Sequence, residues 1–300
     1  MSDIPHTPAE ARKSHLESVF WRKTLRWGLR TIPPRVERAS LPLWSGLFYL
    51  QVPHIRRAIH ANLRRLHGLR SPRRDVMAFR TFTNYCGCVA QAYRFYLGAD
   101  PNIEVEVVGL ENMERALGGG EGAVVATGHI GNWQLGPHFL SQHGFPPVTV
   151  VMEAEPDAGV QRMEQASRDR KMRVVYPRES PLLSLELRTA LRRGELIGFQ
   201  MDRALDDRGL RVPCAGGMAT FAPGPALFSR VCQVPVVPVF FPLVRGKLQI
   251  LIEPPLWARR TADRDADMLE LTTRLATVYG RLVQRHSDQW FNFYDFWAET

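Results

Sequence analysis

The chain has 300 residues, 45% of them hydrophobic, which is ample for a globular core and excludes a disordered or fibrous polymer. Its 39 lysines and arginines against 30 acidic residues give a formal charge of +9, a surface that favours anionic partners: lipid headgroups, an acidic carrier protein or nucleic acid. No helix-turn-helix, zinc-finger or aromatic-basic RNA pattern occurs, so nucleic acid ranks last, and Cys86, Cys88, Cys214 and Cys232 form no Cys-x-x-Cys pair for a metal or redox site.

The N-terminus lacks an apolar signal core with a small-residue cleavage site, so a reduced, cytoplasmic setting is expected. From Glu10 to Ile32, Leu16, Phe20 and Trp27 fall along one helical line among Arg12, Lys13, Arg22, Lys23, Arg26 and Arg30. This reads as a basic helix lying on a membrane surface, or equally as an ordinary surface helix with a solvated basic face. Leu41 to Leu50 is the most apolar stretch but falls short of the ~18 residues of a span, so it is expected to be core or interfacial. Ile55, Ile59, Leu63 and Leu66 mark an amphipathic helix whose other face carries Arg56, Arg57, Arg64 and Arg65. Ser71 is placed to cap the next helix, with Pro72 at its first position. Val76, Phe79, Phe82, Cys86, Val89, Tyr93 and Leu97 keep a three-four spacing that reads as core.

From Asn102 strands alternate with helices. Strands are predicted at Ile103–Val107, Gly122–Ala126, Val148–Met152, Val174–Tyr176, Leu196–Met201, Val234–Phe241 and Leu248–Ile252. Helices are predicted at Glu111–Leu117, after Gly131, at Pro156–Lys171, Pro181–Arg193, Pro225–Cys232 and Ala266–Arg285, before an aromatic tail from Trp290 to Trp297. This order predicts an α/β fold: a mostly parallel central sheet with helices on both faces, preceded by N-terminal helices. The economical division is residues 1–54 as a basic, membrane-associating helical region and 55–300 as one domain.

His129 is delivered at the end of the strand Gly122–Ala126, and the crevice beyond such carboxyl ends is where open α/β sheets bind ligands. Gly128 and Gly131 flank it, which permits close backbone approach by a ligand. Asp202 follows Leu196–Met201 and Glu153 follows Val148–Met152, so parallel neighbouring strands would bring both acids to the same edge. Gly216 to Ala226 reads as a glycine-proline loop running into a helix, whose start offers N–H groups to a phosphate or an oxyanion; the plainer reading is a tight turn without a ligand.

Gly128-His129-Ile130-Gly131-Asn132-Trp133-Gln134 resembles the His-four-residues-acid motif of the glycerophosphate and lipid A acyltransferase superfamily. Phe199 to Arg203, Gly216 to Ala226 and Pro235 to Phe240 are similar to further blocks of the late lipid A acyltransferase branch, as are Asn62 to Leu66 and His286 to Trp290. The resemblance covers about Ile55 to Trp297 in ordered blocks. It implies a glycerophosphate acyltransferase-like fold and transfer of a fatty acyl chain from an acyl carrier protein or coenzyme A thioester to a hydroxyl of a lipid A-like glycolipid. It also implies the cytoplasmic face of the inner membrane, and the chemistry needs neither metal nor other cofactor; a peripheral or monotopic attachment and a monomer are the default expectations. His129 would be the general base, with Gln134 and Asp202 completing the catalytic set. Gly131, Asn132, Trp133, Glu153, Arg203, Gly217, Thr220 and Gly224 would bind substrate.

Two departures stand out. Gln134 replaces the motif acid, and a glutamine carbonyl can accept the imidazole N–H but supplies no charge to an imidazolium; Asp202 or Glu153 would then take over, with Asp202 favoured. The N-terminal span common in that branch is missing, leaving the basic helix and exposed aromatics for attachment. Alternative acceptors are a phospholipid, a mannosylated lipid or a pigment lipid. From another class comes a catalytically impaired member that binds lipid or acts as a scaffold.

Overall fold

In the computed structural model, which describes residues 4–5, 19–99, 103–152, 172–177, 182–204 and 209–298, the aromatic stripe of the N-terminal third is one long helix. Among the described residues the first helices are α1 (Val19–Thr31), α2 (Pro34–Gln51), α3 (Pro53–His67) and α4 (Arg73–Tyr96). Prolines punctuate them, because a residue before proline is pushed out of helical geometry: Pro33 has ψ 143, and Pro34 and Pro53 each open the helix that follows. Residues 10–18 of the predicted basic helix lie outside the described residues. The predicted cap at Ser71 is not made. The helix starts at Arg73 with Pro72 before it, and the Ser71 hydroxyl instead donates to the Asp75 carboxylate at 2.5 Å.

The described residues of Met1–Ile103 and Gln284–Thr300 form one of two compact units. The aromatic tail is its centre. Trp290, Phe291, Phe293, Tyr294, Phe296 and Trp297 are all buried. Phe293 packs on Phe82 and Tyr85, Phe291 on Tyr85, and the Arg65 guanidinium sits 5.1 Å over the Trp297 ring. Buried Asn62 clamps the strandless tail: its amide donates to the Asn292 and Tyr294 carbonyls at 3.0 and 2.8 Å, and its oxygen accepts from the Phe296 N–H. Ser287 pairs with His67, and Asn84 donates to the Asp288 carbonyl. The blocks around Asn62 and Ser287, matched to a family by sequence, thus hold the tail.

Glu104–Ala154 and Asp169–Val283 supply the second unit, again through their described residues. Its elements are β1 (Val105–Val108), α5 (Leu110–Leu117), β2 (Val124–Thr127), a 3₁₀ turn (Trp133–Leu135), α6 (Gly136–Gln142), β3 (Val148–Val151) and β4 (Met172–Val175). Then come α7 (Leu183–Arg192), β5 (Leu196–Gln200), β6 (Leu210–Cys214), β7 (Gly217–Phe221), α8 (Gly224–Cys232), β8 (Val236–Phe240), β9 (Leu243–Val244), β10 (Lys247–Ile252) and α9 (Arg264–Arg285). The predicted helix Pro156–Lys171 lies outside the described residues.

Among the described residues the central sheet has eight strands, ordered β1-β10-β8-β2-β5-β3-β4, with β9 on β10. It is mostly parallel; β10 runs antiparallel to β8 and β9. β2, β5 and β8 are buried along almost their whole length, as strands covered on both faces must be. The chain leaves β2 toward β3 and leaves β5 toward β8, in opposite directions. Right-handed crossovers between parallel strands then put α6 on one face and α7 and α8 on the other. Adjacent parallel strands whose connections depart to opposite faces make a topological switch point, with a crevice outside their carboxyl ends.

The predicted glycine-proline loop is largely strand. β6 and β7 form a hairpin turned by Ala215 and Gly216, both at positive φ (48 and 86), and only Ala222 and Pro223 link it to α8. Among the described residues no helix is long and apolar enough to cross a membrane.

Candidate active site

The switch point brings two predicted residues together. β2 and β5 pair in parallel with Thr127 opposite Gln200, and the Met201 N–H donates to the Thr127 carbonyl at 2.8 Å, which extends the ladder by one rung. Each strand then ends on a polar residue one or two positions later: His129 and Asp202. The imidazole Nδ1 lies 2.9 Å from Asp202 Oδ1, and the backbone N–H of the same histidine donates to Oδ2 at 2.9 Å. The carboxylate therefore grips both the ring and the main chain of His129. Asp202 is fully buried and His129 is 4% exposed, so this bond is shielded from water.

A third donor was not foreseen. Tyr279, fully buried on α9, donates its hydroxyl to Asp202 Oδ2 at 2.5 Å. Its ring is held by Phe221 of β7 and Phe240 of β8, with centroids 5.7 and 6.0 Å away. In the sequence Tyr279 falls in the apolar period of α9 with Leu271, Leu275, Leu282 and Val283, where it reads as core. The available signal was its hydroxyl: a buried tyrosine O–H needs a partner.

Burial alone would raise the Asp202 carboxyl, but the charge and hydrogen bond of His129, the Arg203 guanidinium and the Tyr279 hydroxyl outweigh it and hold the pKa well below the ordinary carboxylate value. Asp202 is thus ionised at neutral pH and accepts only. Nδ1 must carry the proton in the bond to Oδ1, and the lone pair of the neutral ring falls on Nε2.

The histidine loop is pinned from its other side as well. The Asn132 N–H donates to the Phe241 carbonyl just past β8 at 2.8 Å, and Gly131, at φ 65, bridges to the same residue. A Cβ on Gly131 would come within 2.0 Å of the Phe241 oxygen; one on Gly128 would meet the Tyr279 ring at 2.5 Å and the Asp202 carboxyl at 3.1 Å. Both glycines, read from sequence as room for a ligand, serve close packing within the protein.

The remaining predicted residues lie as follows. Gln134 is half-buried in the 3₁₀ turn, and among the described residues its side chain makes no hydrogen bond to His129. Asn132 is fully buried, and the half-buried Trp133 ring stands 4.9 Å from the imidazole. Arg203 is half-buried beside Asp202. Gly217 pairs with Cys214 and Thr220 with Arg211 in the hairpin, and Gly224 opens α8 against the Phe199 ring, which a Cβ would approach to 2.8 Å. This segment is tied to the site where Ala222 donates to the Met201 carbonyl. Glu153 lies outside the described residues. Burial pushes the thiols of Cys88 and Cys214 up to about 12, and Cys86 to about 11, so they stay protonated at neutral pH.

No curated protein matches the chain. The family model for bacterial lipid A biosynthesis acyltransferases matches residues 15–298, nearly all of it, including the strand ends that carry His129 and Asp202. The chain belongs to the bacterial lipid A biosynthesis acyltransferase family, and it is an acyltransferase.

Proposed function

We propose that this acyltransferase moves a fatty acyl chain from an acyl carrier protein or coenzyme A thioester to a hydroxyl of a lipid A-like glycolipid, with His129 as general base. One observation carries the reading: a fully buried Asp202 holds the ring and the backbone of His129 at a sheet switch point. Nε2 takes the proton of the acceptor hydroxyl as its oxygen attacks the thioester carbonyl. The new C–O bond forms, the carbonyl π pair moves onto oxygen, and Asp202 stabilises the imidazolium. Collapse of the tetrahedral intermediate restores the carbonyl, breaks the C–S bond and expels the thiolate, which takes the proton from His129. Every proton and electron pair is accounted for by the two substrates and His129, so the step calls on no metal or cofactor. Asp202 and Tyr279 act as positioning residues, Trp133 lines the imidazole, and Arg203 and the Thr220–Gly224 segment serve a substrate phosphate or the developing oxyanion. Thioester donors of both kinds are cytoplasmic, which supports the cytoplasmic face of the inner membrane as the site of the reaction.

Transfer of labelled palmitoyl and myristoyl groups from both thioester types into a membrane lipid extract tests this. The native protein is expected to yield one labelled lipid, whose mass identifies the acceptor, and His129→Ala none. Equal product from both proteins would remove His129 from the chemistry.

Gln134 motivates the second reading, an impaired, lipid-binding member. The charge that the motif acid would supply is already present at Asp202, so Gln134→Glu is expected to change turnover by about fivefold or less, the worth of a part-exposed charge. Activation of a hundredfold or more in the same assay would instead mark the native site as damaged.

A further inference from the structure

We infer that α2 is a docking face that seats the protein on an anionic lipid surface, inserting shallowly without crossing it. Within the 18 residues of α2, Val36, Leu43, Leu47 and Leu50 follow steps of seven, four and three, with Trp44 beside them, and all are exposed; Leu43 and Leu50 reach 67% and 69%. At 100° per residue they occupy one side of the helix, about 27 Å long. The opposite side is spoken for: Ser45 and Tyr49 are buried, and the Tyr49 ring packs on Phe79 and Phe82 of α4. Glu37 of α2 pairs with Arg94 of α4, and Arg94 also donates to the Ile32 carbonyl. These contacts fix the rotation of α2, so the apolar stripe faces outward as a property of the fold.

Charge identifies the occupant. Arg30, Arg35 and Arg38 are exposed around the start of α2, exposed Trp27 lies on α1, and the whole chain carries +9. Leucine and tryptophan on one face with arginine at the margin is the pattern of a helix lying in a lipid interface, and the positive charge opposes a second copy of this chain while favouring anionic headgroups. The inference rests on the reading of the acceptor as a membrane lipid: an amphiphile held in a bilayer is reached most readily by an enzyme already seated there.

The test is flotation of the full chain with vesicles of phosphatidylcholine containing about 30% phosphatidylglycerol, without acyl donor. The triple variant L43S/L47S/L50S is expected to lose about tenfold or more in partitioning, with unchanged circular dichroism and Tm, because it removes only exposed side chains. Arg35→Glu with Arg38→Glu should weaken binding to anionic vesicles and leave weak binding to pure phosphatidylcholine unchanged. Brominated lipid should quench native tryptophan fluorescence, and Trp44→Phe should lose most of that quenching. Native-like flotation of the triple variant overturns the inference; so does a native dimer in solution that this variant makes monomeric, since a second copy would then own the face. Acyl transfer to detergent-dispersed lipid separates the two readings. Transfer without vesicle binding sinks the docking face alone, and vesicle binding without transfer in any format sinks the acyl-transfer reading alone.

Discussion

Replacing Asp202 with asparagine is expected to lower turnover by about 10⁴-fold, the loss that follows the same change in a serine-protease triad, while KM for the thioester donor barely moves. The hydrogen bonds determine how the amide settles. Among the described residues Oδ2 accepts from the His129 N–H and the Tyr279 hydroxyl, whereas Oδ1 faces the imidazole Nδ1. Asparagine satisfies the larger set by putting its carbonyl in the Oδ2 position, which turns its NH₂ toward the imidazole. Nδ1 must then accept, the ring proton moves to Nε2, and the base presented to the acceptor hydroxyl is lost. Single-turnover kinetics at saturating donor would show the fall in the chemical step; a loss of less than tenfold would mean that Asp202 does not set the tautomer.

The same carboxylate leaves a mark on stability. Its folded pKa lies below the ordinary value, so the stability it contributes is full above about pH 4 and is lost as the pH falls through the lower folded value. Native protein and Asp202→Asn should therefore differ by about 2–4 kcal/mol near neutrality, and their unfolding curves should converge below about pH 4. Urea titrations across that range measure the gap, and a constant gap would contradict an ionised Asp202.

How much of this was written in the sequence depends on whether the information is local. β2 with His129 at its end, β5 with Asp202 at its end, and the change of pattern at Asn102 are local signals, and both strands fall within a residue or two of their predicted bounds. That Thr127 sits opposite Gln200 is a pairing across more than seventy residues, which periodicity cannot supply; parallel alternation made it plausible and no more. The β6–β7 hairpin escaped because Ala215 adopts a positive φ that alanine does not advertise, and Pro213 argues against a strand. Tyr279 escaped because a tyrosine at an apolar helix position looks like packing until its hydroxyl is seen to reach Asp202. Leu41–Leu50 was read as core or interfacial, and α2 divides it between the two: Ser45 and Tyr49 inward, Leu43, Trp44, Leu47 and Leu50 outward.

Gly128→Ala is expected to cost about a hundredfold in turnover, the scale of an ångström of misplacement at the reacting groups. The added methyl would stand 2.5 Å from Tyr279 Cε2 and 3.2 Å from Asp202 Oδ2, both fully buried. The Tyr279 ring has no room to retreat, because Phe221 meets it edge-on at 87° and Phe240 lies across it at 38°. Overpacking of this kind costs about 1–3 kcal/mol of stability, and the cheapest relief is to rotate the tyrosine hydroxyl away from Asp202. That route has a signature. Tyr279→Phe alone should lose about tenfold, through one hydrogen bond to a charged acceptor, and should shift the pH–rate profile, since an aspartate relieved of that donor binds the imidazolium more strongly and raises its pKa. If Gly128→Ala acts by dislodging the same hydroxyl, the double variant will lose less than the product of the two single losses. Strict multiplicativity in that cycle would show that the methyl disturbs the histidine loop independently of the tyrosine.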